Sequence, residues 1–587
     1  MDSYLCPSEA GVSVVLVREK LRPVFRAFVE ERAKSFGEMP KHELDGFLSQ
    51  KLLVHPASAG ASGMQKEYGT ALSVLGALVL LISCANVANL MMAQAAARQR
   101  EMALRVSIGA GRWRLVQLVS VECAWLAFLA AGIGACFAWW AAPLVVGIIG
   151  TPDNPTRLSL PADWRVLGFG VAMAFGVTVL FGLAPAVSAS LVKPISALRG
   201  GDPHMRPRMM QLLIAAQVAF CVLVLFVAGL FISTSVRLSH QSTGFSSERL
   251  LTLETVTPQP QPALLWQQVA AHLGTVPGVE AVAISEWPLM AGESWSGFIA
   301  INGGPPGPLG SYFLNVSPEW REMMRIPLVQ GRDFRASDAV PGAAMVNETF
   351  ARQYFGTDNP VGRSFEVVSN EGPRDRYLVV GLVGDARYRD MREPMQPTAY
   401  FPFKASYARA TFIVRTSSQN PLAMSSALRR EVPRARAGLR VSNIRTQAAL
   451  VEQHTVRERL LAMLALFFGV VALLLAGVGL YGVLDYSVLQ RRREIGIRIA
   501  IGAQAGDIAR RVTVDIFAMV LAGSLVGVIL GIVSVRYIET LLYGVKATDL
   551  GILALPTVTI FAVALLAALP AVIHAIRIDP VTMLRPE

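Results

Sequence analysis

The 587-residue chain is long enough for several domains, but its composition excludes a protein that is entirely water-soluble. Hydrophobic residues make up 53% of it, charged residues only 16%, and its mean hydropathy is +0.45. The net charge of +12 would suit nucleic-acid binding if the basic residues formed a soluble patch. The arginines instead cluster just beyond the ends of apolar runs, as the positive-inside bias predicts, so we expect a membrane protein with no nucleic-acid partner.

The N-terminal third of the chain predicts a polar leader followed by three membrane helices. Residues 1–67 are polar and mixed in charge, and we assign them to an extracytoplasmic remnant of a domain. A first membrane half is expected at 68–200, with spans near 70–93, 123–150 and 166–190. Each run is long enough for a helix to cross a hydrocarbon core, which takes about 20 apolar residues.

A long polar region separates a fourth span, at 209–236, from three further spans. Within this region, 237–459, short apolar segments alternate with helix-like stretches at 264–273 and 423–430, which predicts a soluble α+β domain that can divide into two lobes. The second membrane half is expected at 460–587, with spans near 460–484, 516–535 and 550–573. The predicted fold class is an α-helical bundle of seven spans, three plus four, with an α+β extracytoplasmic domain inserted in the second half.

The basic short loops predict the orientation. They lie at 98–114, 193–208 and 491–511 and in the tail after 576, and alternating spans place all of them on one side. That side should be the cytoplasm. We therefore expect a multi-pass protein of the cell inner (plasma) membrane, in contact with lipid, with a cytoplasmic C-terminus and the large domain outside.

Two basic segments, at 97–110 and 490–503, show that the membrane halves are copies of each other. They share a pattern of arginines, one glutamate and a Gly-Ala pair. The matched residues are Arg98, Arg100, Glu101, Arg105 and Gly109 in the first basic segment, and Arg491, Arg493, Glu494, Arg498 and Gly502 in the second. Two equivalent cytoplasmic segments would suit a two-fold symmetric partner such as a dimeric ATPase.

The isoleucines of the second basic segment alternate with a period of two, which by itself would predict a strand. Because the segment continues from a membrane helix, we interpret it as helical, with Glu494 and Arg498 paired at i and i+4. A break is expected at 502–506, where Gly502 can end the helix, and a second helix from Asp507.

Two interpretations of these basic segments remain open. The arginines can simply anchor helix ends at lipid headgroups. Topology, however, requires only positive charge, whereas the glutamate and the Gly-Ala pair are repeated as well. We therefore favour contact with an ATPase for all ten matched residues.

Longer motifs resemble the FtsX/MacB-like permeases of ABC transporters. The resemblance rests on residues 479–503 and, in the polar region, on VNETFAR at 346–352, PVGR at 360–363 and VVGLVGDAR at 379–387. The doubled layout and CANVANL at 84–90 resemble the acidobacterial type of duplicated permease without a fused ATPase. The resemblance implies a MacB-like periplasmic core at 237–459, FtsX-like membrane halves and a first half truncated at its N-terminus.

The resemblance also implies the function. A separate cytoplasmic ABC ATPase dimer would drive movement that reaches the extracytoplasmic domain, exporting or extruding a hydrophobic or peptide-like substrate. A periplasmic adaptor is a further candidate partner. The alternative is a non-transporting signalling or scaffold protein that regulates a cell-wall hydrolase or a sensor.

The sequence predicts no catalytic residue, no metal site and no cofactor. No stretch matches the G-x4-G-K-[ST] phosphate loop, so ATP hydrolysis is expected from a partner subunit. The run from Gly381 to Asp385 is interpreted as a strand end and turn rather than a phosphate loop, and Asp385 is expected to pair with Arg387. Four amides stand within the predicted spans, and we favour helix contacts over a transport pathway for them: Asn86, Asn89, Gln211 and Gln217.

Overall fold

The computed structural model describes two compact units separately. The described residues are 14–34, 48–49, 52, 54, 64–97, 112–149, 168, 171–172, 175–176 and 207–576, apart from 308–309, 369–373, 491–493, 496, 499–500, 502–503 and 547. One unit is Leu238–Val456, with which the charged helix α1 (Val14–Lys34) is grouped, and the other contains the long apolar helices.

Three long helices precede the large domain: α2 (Met64–Ala97), α3 (Arg112–Ile149) and α4 (Pro207–Ser239). They are rich in Ala, Leu and Val, and a helix satisfies its own backbone hydrogen bonds, as a lipid environment requires. The predicted spans near 70–93, 123–150 and 209–236 are confirmed as helices long and apolar enough to cross a membrane. The predicted span at 166–190 lies almost wholly outside the described residues.

The first lobe of the domain is a four-stranded antiparallel sheet with two helices packed on it. In chain order it contains β1 (Leu250–Pro262), α5 (Ala263–Gly274), β2 (Val279–Ser285), β10 (Ser406–Thr416), α8 (Ser425–Ala435) and β11 (Arg440–Thr446). The strand order β11–β1–β10–β2 is that of a ferredoxin-like split βαβ fold. Trp266 and Leu428, from the two helices, are fully buried against Phe412 of the sheet.

The second lobe is inserted between β2 and β10 and forms a closed ring of six strands. Its elements are β3 (Trp295–Ala300), β4 (Gly310–Val316), α6 (Trp320–Met323), β5 (Leu328–Gly331), β6 (Ala343–Asn347), α7 (Glu348–Phe355), β7 (Ser364–Val368), β8 (Asp375–Val383) and β9 (Thr398–Pro402). The ring runs β4–β3–β7–β8–β6–β9 and closes through β4 and β9. An aromatic core that includes Phe313, Phe350 and Phe401 fills it, so the predicted two lobes are present as two hydrophobic cores.

The two lobes join where Ser285 of β2 pairs with Val316 of β4. Beside this pair, Asn315 Nδ2 donates to Glu286 Oε2 at 2.8 Å. Burial raises the pKa of Glu286, and the hydrogen bond from Asn315 and the charge of Arg409 oppose the rise. The carboxyl group at the lobe junction is therefore held closer to its neutral form than an exposed glutamate.

The chain leaves the domain through α9 (Gln447–Gln453) and enters α10 (Val456–Gln490). Two more long helices follow: α11 (Ala505–Ile538), which ends in a short 3₁₀ turn (Glu539–Leu541), and α12 (Leu550–Ile576). The three predicted spans of the second half are thus confirmed, which gives six candidate membrane helices among the described residues.

Helices α2, α4, α10, α11 and α12 share one hydrophobic core. A glycine ladder on α11, made of Gly523, Gly527 and Gly531, lies against α4, the first two facing its backbone and the third the ring of Phe226. A Cβ atom at Gly527 would stand 2.6 Å from the Ala219 carbonyl oxygen, too close for any side chain. Small residues at this spacing let membrane helices approach closely. The packing of α4 therefore depends on this ladder.

We expect Gly527→Ala to destabilise the membrane unit by about 1–3 kcal/mol, because the added methyl group forces α11 and α4 apart. Thermal unfolding of the full chain in detergent measures this. Gly229→Ala on α4 is the control, since its Cβ would meet Ile552 Cγ2 at an ordinary 3.7 Å. Equal stability of the two variants would show that the ladder contact is not tight.

We expect Glu286→Gln to stabilise the domain at neutral pH. The pKa of Glu286 is raised in the folded domain. The protonated side chain therefore stabilises the fold below the ordinary glutamate pKa, and this stabilisation is lost as the pH rises through the raised pKa. Glutamine keeps an oxygen that accepts from Asn315 without the charge. The melting temperature should exceed that of the wild type at pH 7 and converge with it near pH 4, about the ordinary glutamate pKa. Glu319→Gln, at an exposed carboxylate, should show no such crossover.

Candidate functional site

The structure describes two of the ten residues predicted to contact an ATPase, Glu494 and Arg498. The other eight lie outside the described residues, so their role stays a prediction. They are Arg98, Arg100, Glu101, Arg105, Gly109, Arg491, Arg493 and Gly502.

The described part of the second basic segment is helical. Arg498 Nη2 lies 2.5 Å from Glu494 Oε1, the expected i and i+4 contact. The Ile501 amide donates to the Ile497 carbonyl at 3.1 Å, which is a helical hydrogen bond. The prediction of a helix over a strand is confirmed, and the period of two was misleading because the chain has no strand beside it in the described part.

One face of this segment is fixed and another is exposed. Ile495 is buried in the core that α10 shares with α11 and α12, whereas Ile497 and Ile501 are exposed. Nearby, His574 Nδ1 on α12 lies 3.4 Å from Asp485 Oδ1 on α10. The Glu494–Arg498 pair is therefore carried by a helix end that is anchored to the bundle.

The predicted start of the next helix at Asp507 was two residues late. Helix α11 begins at Ala505, with Gln504 in an extended conformation as its N-cap residue. Gly506 lies in the first turn of α11. The free-energy cost of a glycine in a helix is offset there by Asp507, whose negative charge stabilises the helix N-terminus.

Helix α9, which precedes α10 in the chain, is held by contacts within the domain unit. The Gln447 side chain, which is fully buried, donates to the Leu289 carbonyl at 2.8 Å. Gln453 Nε2 lies 3.1 Å and His454 Nε2 2.9 Å from the carbonyl oxygen of Met290. Met290 has a φ of +67°, and its amide donates to Tyr388, so the loop is held from both sides.

Two of the four predicted intramembrane amides meet. Gln217 Nε2 donates to Asn86 Oδ1 at 2.8 Å, and both side chains are buried between helices. Gln211 is exposed, and the Asn89 side chain lies outside the described set. The helix-contact interpretation is confirmed for Asn86 and Gln217. Their backbone partner at Leu475 was missed, although the glycine at 479 was visible in the sequence.

The predicted pairing of Asp385 with Arg387 was wrong. Asp385 instead accepts from the Thr349 amide and hydroxyl, both at 2.8 Å, and from Arg352 at 3.0 Å. Arg387 is buried and donates to the Glu393 carbonyl. Asp385 follows the end of β8 and ties it to the start of α7, which fits a strand end and turn.

Among the described residues, no group of three or more His, Cys, Asp or Glu side chains could hold a metal ion. The candidate functional site is the second basic segment, whose described part carries the Glu494–Arg498 pair beyond the end of α10.

We expect Gln447→Ala to lower the free energy of unfolding by about 1–3 kcal/mol, because it leaves the buried Leu289 carbonyl without its donor. Gln268→Ala is the matched control, since Gln268 on α5 is exposed and its loss should change stability by less than about 0.5 kcal/mol. Denaturant unfolding of the full chain in detergent compares them. A larger effect at Gln268 would contradict the assignment of the buried anchor.

Two family models match the chain. The FtsX-like permease C-terminal model matches residues 73–193 and again 466–580, and the MacB-like periplasmic core domain model matches 212–431. The double FtsX match agrees with the duplication seen in the two basic segments.

Curated relatives match over part of their length. A macrolide export ATP-binding/permease protein, MacB, of Marinobacter nauticus is 27% identical over 47% of this chain and 42% of its own length. A pyoverdine export ATP-binding/permease protein, PvdT, of Pseudomonas aeruginosa is 24% identical over 36% of this chain and 33% of its own. The chain thus spans less than half the length of these relatives.

Solved structures match about a third of the chain. The periplasmic region of MacB from Actinobacillus actinomycetemcomitans is 13% identical with a TM-score of 0.26, covering 37% of this chain and 96% of that one. The extracellular domain of the transporter YknZ from Gram-positive bacteria is 15% identical with a TM-score of 0.23, covering 33% and 100%. Together, the family models and the curated relatives show that this chain belongs to the FtsX/MacB-like permeases of ABC transporters.

Proposed function

We propose that the chain is the permease subunit of an exporter in which a separate cytoplasmic ATPase moves the membrane helices and, through them, the extracytoplasmic domain. The substrate class is hydrophobic or peptide-like. Relatives named for macrolide and pyoverdine export support this direction and this class. The comparisons do not favour the alternative of a signalling or scaffold protein.

The observation that carries the proposal is the continuity of α10. A single helix of 35 residues begins directly after α9 and ends at Gln490, four residues before Glu494. At about 1.5 Å per residue it is about 50 Å long, enough to cross a membrane with several residues beyond. Helix α9, just before it in the chain, is held within the domain, and Ile495, beyond its end, is buried in the bundle core, which supports transmission of movement along α10.

The two copies of the basic segment support a dimeric ATPase as the partner. Each half presents one segment, and a two-fold symmetric motor offers two equivalent surfaces. With this motor in the cytoplasm, the C-terminus would lie on the cytoplasmic side and the large domain outside. We also propose that the chain belongs to the duplicated group without a fused ATPase and that a periplasmic adaptor is a further partner.

Charge reversal at Arg498 distinguishes contact with the ATPase from stabilisation of the helix by the Glu494–Arg498 pair. In complex with the ABC ATPase that co-purifies with the wild-type chain, Arg498→Glu should lower stimulated ATP turnover about tenfold or more, as loss of a buried charged contact does. The double variant Glu494→Arg/Arg498→Glu restores the intrahelical pair, worth only about 0.2–0.5 kcal/mol, but not the contact with the motor. Turnover should therefore stay low in both.

Arg363→Glu, at an exposed pair with Asp358 on the external domain, is the control and should leave turnover unchanged. Full recovery in the double variant would show that Arg498 only stabilises its helix. Unchanged ATPase binding and turnover in Arg498→Glu would overturn coupling through the second basic segment.

A further inference from the structure

Three helices meet at a buried polar cluster formed by Asn86 on α2, Gln217 on α4 and the Leu475 carbonyl on α10. Asn86 Nδ2 donates to the Leu475 oxygen at 2.6 Å, and Gln217 Nε2 lies 3.2 Å from the same oxygen. Gln217 also donates to Asn86 Oδ1 at 2.8 Å. Asn86 is 4% and Gln217 2% exposed, so this is a closed network among helices that otherwise pack through apolar side chains.

A notch in α10 makes room for the two amides. Gly479 lies one turn after Leu475, and a Cβ there would overlap Asn86 Oδ1 and stand 2.6 Å from Gln217 Nε2. Any side chain at this position would displace the amides from the carbonyl. The cluster thus requires both the amides and the glycine.

Asn86 and Gly479 are equivalent positions of the internal duplication. Asn86 lies twelve residues before Arg98, and Gly479 lies twelve residues before Arg491, its counterpart in the second basic segment. When equivalent positions of two copies touch, the pseudo-two-fold axis that relates them passes close to the contact. In a dimer of identical subunits, the same residue would stand on both sides of the axis. Here Asn86 stands on one side, and Gly479, which leaves room for the amide, stands on the other.

The two helices joined at this point are those that lead into the two basic segments. Twelve residues of helix correspond to about 18 Å, so the cluster lies on the side of the bundle nearest the basic segments. This position suits the proposed function, because a two-fold symmetric ATPase would act on the C-terminal ends of α2 and α10 together.

We propose that Asn86, Gln217 and Gly479 form a polar latch on the pseudo-two-fold axis that keeps α2 and α10 in register, so that the two basic segments act as one pair. Asn86 and Gln217 are positioning residues. In hydrocarbon, separation of the helices would leave the two side-chain amides without water as an alternative partner, so the network favours one relative position of the helices. The proposal rests on the proposed function only for the role of the basic segments.

The symmetry makes a swap the strongest test. In Asn86→Gly/Gly479→Asn, the asparagine placed on α10 would face the Ile82 carbonyl, which lies four residues before position 86 as Leu475 lies four residues before 479. Steric fit is restored and one interhelical hydrogen bond is re-formed across the axis. In Gly479→Asn alone, the new side-chain amide would compete with that of Asn86 for a space that holds only one.

The experiment uses the full chain in detergent without ATPase, with the native cysteines replaced and spin labels at Ile501 and at its repeat counterpart Ile108. Asn86→Ala should increase the population of alternative label-to-label distances about threefold. This is the change in population that corresponds to the average free energy of an interhelical hydrogen bond in a membrane protein. The swap should return the distribution towards that of the wild type and unfold at a higher temperature than Gly479→Asn. Gly229→Ala is the control.

An unchanged distribution in Asn86→Ala would overturn the latch, and so would a swap variant that is no more stable than Gly479→Asn. A purely structural role would lower the unfolding temperature of Asn86→Ala without changing the distances. Because no ATPase is present, these results stand apart from the turnover test of Arg498, which bears on the proposed function alone.

Discussion

The membrane unit depends on the close approach of helix backbones, because lipid offers neither a hydrophobic driving force between helices nor water for unpaired polar groups. The glycine ladder at 523, 527 and 531 brings α11 against α4. The notch at Gly479 does the same for α2, α4 and α10 around the Leu475 carbonyl. Each contact is made possible by a missing Cβ, so packing here is sensitive to single methyl groups.

Within the membrane unit, this packing buries one face of α10, and Ile495 beyond its end is buried in the same core. Within the domain unit, Gln447 of α9 bonds to a buried loop. The domain has two separate cores, and its lobes meet at Ser285 and Val316 beside the half-buried Glu286. Helix α10 follows α9 in the chain, so the proposed movement would pass along continuous backbone.

The sequence predicted the features that depend on local composition. Apolar length identified the six spans that the structure describes, and the repeated pattern identified the helical pair of Glu494 and Arg498. Contacts between distant residues were not predictable in this way. Asp385 pairs with Thr349 and Arg352 rather than with its near neighbour Arg387, and the closed ring of strands depends on pairing β4 with β9. Asn86 was recognised as a helix contact, but its partner across the bundle required the fold.

The central claim is that α10 carries movement between the second basic segment and the domain. The most direct test is hydrogen exchange of the Gln447–Gln453 helix, measured with the co-purifying ATPase before and after ATP binding. The account predicts that ATP changes exchange of these amides in the wild type and that a Gly-Gly insertion in the middle of α10 abolishes the change while the ATPase stays bound. An ATPase that binds and turns over with no change in this helix would contradict it.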